Sequence, residues 1–199
     1  MIWESGYWKE NLLRQSLMLR KKQQQRRWTE RSFALLEQVV MLGFYSIRKL
    51  AEANKISHEI VNLPVPLVAF PWKGKAVTRM NLHRFTELYD MGSARPVKRD
   101  LLFLCHQVVH SYIFSPLFEE KYLAGVFFTS DRHRHKSLYL IKTNNVVTLF
   151  ELVANNDPSS AKSVYDFEKQ DYHTVVGPGI NPDGSRQRIP PLEHWGSWP

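Results

Sequence analysis

The residues best equipped for chemistry lie between Arg99 and Tyr112, in the run RDLLFLCHQVVHSY. A helix turns about 100° per residue, so Arg99 and His106 would lie about 20° apart and His106 and His110 about 40° apart. The spacing therefore predicts one stripe of a guanidinium and two imidazoles on an otherwise apolar helix. Such groups are costly to bury unless hydrogen-bonded, so the stripe lines a cleft or each group has its own partner. Imidazole moves protons near neutral pH, and a guanidinium holds a fixed positive charge against phosphate. His106 and His110 also have the i, i+4 spacing of a helical zinc site. In HQVVH, however, Gln107 stands where a zinc protease has its glutamate base, and no further ligand is marked by spacing. We therefore expect no metal and no cofactor.

The stretch CHQVVHSY resembles the signature helix of the HEPN superfamily, in which an arginine, often followed by a polar residue, is separated by four to six positions from a histidine, with a tyrosine two residues after it in many members. His110-Ser111-Tyr112 matches the histidine–tyrosine end, with Cys105 in the arginine slot. A second register runs from Arg99-Asp100 to His106 and lacks the tyrosine. The resemblance implies an RNA- or nucleotide-directed protein of a bacterial defence or toxin setting. It would be a metal-independent endoribonuclease or an inactive relic, usually a homodimer. In that reading His110 is the acid or base, Tyr112 orients it or the phosphate, Arg99 stabilises charge, and His106 serves the second register.

These residues need a scaffold. Leu12, Leu13, Leu17 and Leu19 suggest a helix over 7–27. Thr29 is a candidate N-cap for a second, reaching about Ala53, with Phe33, Leu36, Val40, Phe44, Ile47 and Leu50 at helical spacing. Pro64, Pro66 and Pro71 make 62–71 extended. A short helix is expected over 81–89, and Pro96 can open the central helix, which Pro116 stops. Residues 122–129 and 137–142 read as a β-hairpin, and 146–149 as a third strand or the lead into a helix over 148–154. The expected fold is α+β. A mainly helical body (about 7–115) precedes a small antiparallel sheet, in one domain over 1–176 with a helical part over 1–118 and a hairpin part over 119–155. Residues 177–199 hold four Gly and five Pro and read as an extended tail, with Trp195 and Trp198 poised to dock on the body or on a partner.

The 199 residues carry a net charge of +8 and a single cysteine, Cys105, which excludes an intrachain disulfide. The aromatic content of 13% excludes a wholly disordered chain. No apolar run is long enough to cross a bilayer, so no membrane association and a cytoplasmic location are expected. The positive charge favours RNA or another polyanion as partner. Two basic clusters could contact phosphate: Arg20, Lys21, Lys22, Arg26 and Arg27 in the first helix, and Arg132 and Arg134 in the hairpin turn DRHRHK, itself read as a solvated tip. The alternative function is a non-catalytic interaction or scaffolding protein that docks through its aromatic sheet and tail.

Overall fold

The computed structural model describes residues 2–179, 183–186 and 189, so Trp195, Trp198 and most of the expected tail lie outside the described residues. Helix α1 spans Ser5–Gln23 and α2 spans Glu30–Glu52. Thr29 caps α2 as expected, its hydroxyl accepting the Ser32 amide at 3.3 Å. Leu36, Val40, Phe44, Ile47 and Leu50 are buried, whereas Phe33 is 40% exposed. After the single turn α3 (His58–Val61) the proline-rich segment becomes strand β1, Val65–Pro71.

The expected mainly helical body is not what forms. Strand β2 (Arg95–Arg99) and helix α5 (Leu101–Val109) replace the long central helix. Pro96 lies in β2 and pairs with Val68 of β1 instead of opening a helix. Asp100 is the true N-cap, accepting the Phe103 amide at 2.7 Å. Strand β3 (Ser111–Glu119) then takes the residues expected to finish that helix. Between Pro71 and Arg95 the chain makes 3-10 turns at Leu82–Arg84 and Met91–Ser93 and a one-turn helix, α4 (Phe85–Leu88).

Strands β4 (Tyr122–Ser130) and β5 (Ser137–Lys142) form the expected hairpin. Residues 146–149 belong to helix α6, Thr143–Ala154. A separate two-stranded hairpin follows, β6 (Ala161–Asp166) with β7 (Asp171–Val176).

The main sheet is antiparallel, in the order β2-β1-β5-β4-β3. Its strands alternate inward residues between two faces. Val65 and Leu67 of β1, Val126 and Phe128 of β4, and Tyr139 and Ile141 of β5 join the core shared with α1, α2, α5 and α6. Val68, Phe70, Phe127, Leu138 and Leu140 face a second, smaller core, closed by Val77, Leu88 and Tyr89 from the 72–94 excursion. The fold is α+β, with strands in both halves of the chain. Among the described residues no helix is long and apolar enough to cross a membrane.

Candidate functional site

Helix α5 links the two edge strands of the sheet, β2 and β3, and its C-terminal end comes to lie beside the β4–β5 turn. Here an open cleft of about 610 Å³ is lined by Arg48 from α2, Phe103, His106, Gln107 and His110 from α5, and Ser130 to His133 from the turn. Apolar α5 residues on the other side bury against the core, Leu101, Leu104, Cys105 and Val108 among them. That burial orients His106 and His110 outward, and both are exposed. Their rings lie 6.3 Å apart with an interplanar angle of 18°. The helical spacing of these two histidines is thus realised.

His110 is the C-cap of α5, its amide bonded to the His106 carbonyl at 3.2 Å. Its Nε2 lies 3.2 Å from Arg48 Nη1. A guanidinium only donates, so Nε2 of His110 accepts. Arg48 is also held by Glu52 at 2.7 Å, one helical turn on. The His106 side chain has no hydrogen-bond partner among the described residues, and its imidazole is open to solvent.

The β4–β5 turn is not a loose tip. Its residues divide between the two sides of the sheet. Asp131 N–H donates to the His110 carbonyl at 3.3 Å, and His133 reaches into the cleft. On the other side, the Tyr89 hydroxyl donates to the Arg134 carbonyl at 2.6 Å, and the Val77 amide donates to His135 Nε2 at 3.1 Å. Burial, assisted by Lys136 and Arg99, pushes the His133 imidazole below its ordinary pKa.

The other expected site residues are dispersed. Arg99 ends β2, lying over the Phe103 ring at 5.4 Å and outside the cleft lining. It is therefore not on the helical stripe, because Asp100 begins the helix one residue after it. Tyr112 is the extra residue of a β-bulge in β3 and packs with the second core, under the Arg134 guanidinium at 4.4 Å. It cannot orient His110 from there. Arg134 pairs with Asp131 at 3.0 Å. Arg132 is exposed at the cleft.

The N-terminal basic run is largely engaged in structure. Arg20 grips Glu151 through two hydrogen bonds of 3.0 and 2.9 Å. Lys22 covers the Trp28 ring, and Arg26 donates to the Tyr122 hydroxyl at 2.8 Å. Lys21 and Arg27 are exposed. Tyr122 and Ser130 are the two ends of β4, roughly 27 Å apart at strand rise, so Arg26 lies far from the cleft. Cys105 is fully buried, which raises its thiol pKa and keeps it protonated.

Two contributors escaped the sequence reading. Arg48 lies more than fifty positions before α5, in a helix with no motif to mark it. His133 belongs to a polar turn whose anchoring depends on contacts from three other segments. Among the described residues no three His, Cys, Asp or Glu side chains converge closely enough to hold a metal ion. No family model, curated protein or solved structure matches this chain.

Proposed function

We propose that the α5 cleft binds an RNA phosphodiester and cleaves it without a metal, through its imidazoles. The observation that carries this reading is the gathering of His106, His110 and His133 with Arg48 and Arg132 in one open cleft. Among the described residues its one acidic lining residue, Asp131, is paired with Arg134. Such a lining attracts a polyanion and supplies groups that move protons at neutral pH. The likeness of CHQVVHSY to the HEPN signature adds RNA as the polyanion, with defence or toxin action as its setting. The scaffold that the likeness implies is all-helical, and this one is not.

The chemistry is an internal transesterification. The 2′-oxygen bonds to phosphorus and the bond to the 5′-oxygen breaks. One imidazole takes the 2′-hydroxyl proton and the other, as imidazolium, gives a proton to the departing 5′-oxygen. His106, free of partners, is the proton acceptor. Arg48 and Arg132 hold the phosphoryl oxygens. When phosphate takes the Arg48 guanidinium, Nε2 of His110 is released for proton transfer. Tyr112 and Arg99 have no direct part.

The test is digestion of a structured RNA by the purified protein in EDTA, with the new ends analysed. The reading expects 2′,3′-cyclic phosphate termini. Intact RNA across pH 5 to 8 would overturn it. A companion measurement separates the two turn arginines. Arg132→Ala should lower the salt slope of RNA binding by about one unit. Arg134→Ala should change the slope less, since its charge is committed to Asp131 and the Tyr112 ring.

A second reading, docking of another protein or a second copy, is favoured by the β6–β7 hairpin. Phe167 is 85% exposed and Tyr172 64%, and both contact the Tyr165 ring. Double replacement of Phe167 and Tyr172 by serine should then abolish any self-association seen by sedimentation.

A further inference from the structure

We infer that Gln107 is a positioning residue that locks His133 in the neutral Nε2–H form, making His133 a fixed hydrogen-bond donor to an anionic oxygen in the cleft. This deepens the phosphodiester reading and rests on it for the identity of the ligand. The lock itself follows from the protein alone.

Gln107 is 2% exposed and both ends of its amide are used. The Ser130 backbone N–H donates to Oε1 at 3.0 Å. A backbone N–H cannot accept, so this bond settles which end of the amide is oxygen. The NH₂ group must therefore face His133, where Nε2 lies 2.9 Å from Nδ1. An amide N–H requires an acceptor, so Nδ1 carries its lone pair. In the neutral ring the proton is then on Nε2.

Three further features hold the ring in this state. The Ser130 hydroxyl is 3.4 Å from the same Nδ1 and can donate to it. The edge-on contact with Phe103, at 5.6 Å between centroids and 87° between planes, fixes the ring plane. Burial, Lys136 and Arg99 all disfavour the imidazolium. Of the charged cleft residues, Arg48 and Arg132 are cationic and Asp131 is occupied by Arg134. Among the described cleft residues no unpaired carboxylate faces His133.

Nε2 of His133 has no protein acceptor among the described residues. An imidazole whose Nδ1 is occupied and whose Nε2 bears hydrogen can donate but cannot take a proton at Nε2. His133 thus differs in role from His106. It supplies a directed neutral donor to a phosphoryl oxygen, in the manner of an oxyanion-hole group. The choice of a glutamine at position 107 acquires a reason: a glutamate there would accept from Nδ1–H and so abolish the neutral Nε2–H form.

The experiment is long-range ¹⁵N–¹H NMR of the histidine rings at pH 7 in the full chain. Wild-type His133 should show a protonated Nε2 and an unprotonated Nδ1. In Gln107→Glu, Nδ1 should become protonated, since a carboxylate can only accept there. A wild-type His133 carrying its proton on Nδ1, or on both nitrogens, overturns the lock whatever the variants do. Titration with uridine 3′-monophosphate tests the donor. His133→Ala should weaken binding about tenfold, as expected for a lost hydrogen bond to a charged group. His133→Gln, which returns an N–H near the place of Nε2, should bind within about threefold of wild type. Equal weakening in both variants overturns the donor role. If the wild type does not bind the nucleotide while the Nε2–H pattern stands, the phosphodiester reading fails and the lock survives. If the nucleotide binds and the pattern is absent, the reverse holds.

Discussion

His106→Ala should lower the rate of RNA cleavage in EDTA by about 10²–10⁴-fold, the range that a positioned acid–base group supplies. The size of the effect follows from the isolation of this imidazole. Arg48 engages Nε2 of His110 and Gln107 engages Nδ1 of His133. Only His106 of the three has neither nitrogen committed, so it alone can take a proton without first breaking a bond. His110→Ala should also impair cleavage, but it frees Arg48, whose guanidinium then remains for phosphate. Its loss should be the smaller of the two. Folding is controlled by far-UV circular dichroism, since both side chains are exposed and neither contributes to the core. A His106→Ala protein that cuts at the wild-type rate would remove this residue from the chemistry. Greater loss in His110→Ala would transfer the acceptor role to His110.

The largest stability effect should come from a residue far from the cleft. Gly43 faces Phe150 where α2 meets α6, and the phenyl ring fills the space that a β-carbon at position 43 would need. Both residues are buried, and Phe150 also stacks edge-on against Phe44 at 5.5 Å. The ring is hemmed in by Phe44, so an added methyl must either shift the Phe150 ring or part the two helices. Gly→Ala in a helix interior normally stabilises by about 1 kcal/mol. At Gly43 the sign should reverse, with a net loss of about 1–3 kcal/mol from overpacking. Gly43→Val should cost more, and a loss of about 3 kcal/mol would lower Tm by roughly 6–12 °C in a chain of this size. Thermal melts check this, and a Gly43→Ala protein that melts higher than wild type would refute it. Adding Phe150→Ala to Gly43→Ala should cost less than the two single losses together, because the smaller side chain makes room.

These outcomes show what the sequence could disclose. The α2 stripe and its Thr29 cap were legible because both signals are local. So was the β4–β5 hairpin, with its β-branched and aromatic runs. The central segment was misread for a specific reason. Residues VVHSYIF are apolar at both helical and strand spacing, and a short apolar run cannot choose between the two. Val97 is the sole inward apolar residue of β2, as befits an exposed edge, so it gives little strand pattern. Pro116, expected to end a helix, sits instead in edge strand β3, where its missing N–H can face away from β4. The stripe of His106 and His110 was visible in the spacing. Arg48 and His133 were not, since tertiary contacts alone bring them there.

The strand order has a temporal consequence. Val68 in β1 pairs with Leu140 in β5, so the centre of the sheet joins parts of the chain made far apart. During synthesis the early helices and α5 emerge before any partner exists for the inner edge of β1. Docking of β5 between β1 and β4 completes the sheet around the turn that carries Arg132 and His133. Loop closure of this length makes that docking slow compared with helix formation. A nascent chain therefore carries His106 and His110 for some time without the β4–β5 turn that completes their cleft. On the proposed reading, the full set of phosphate contacts is assembled only after β5 has been made.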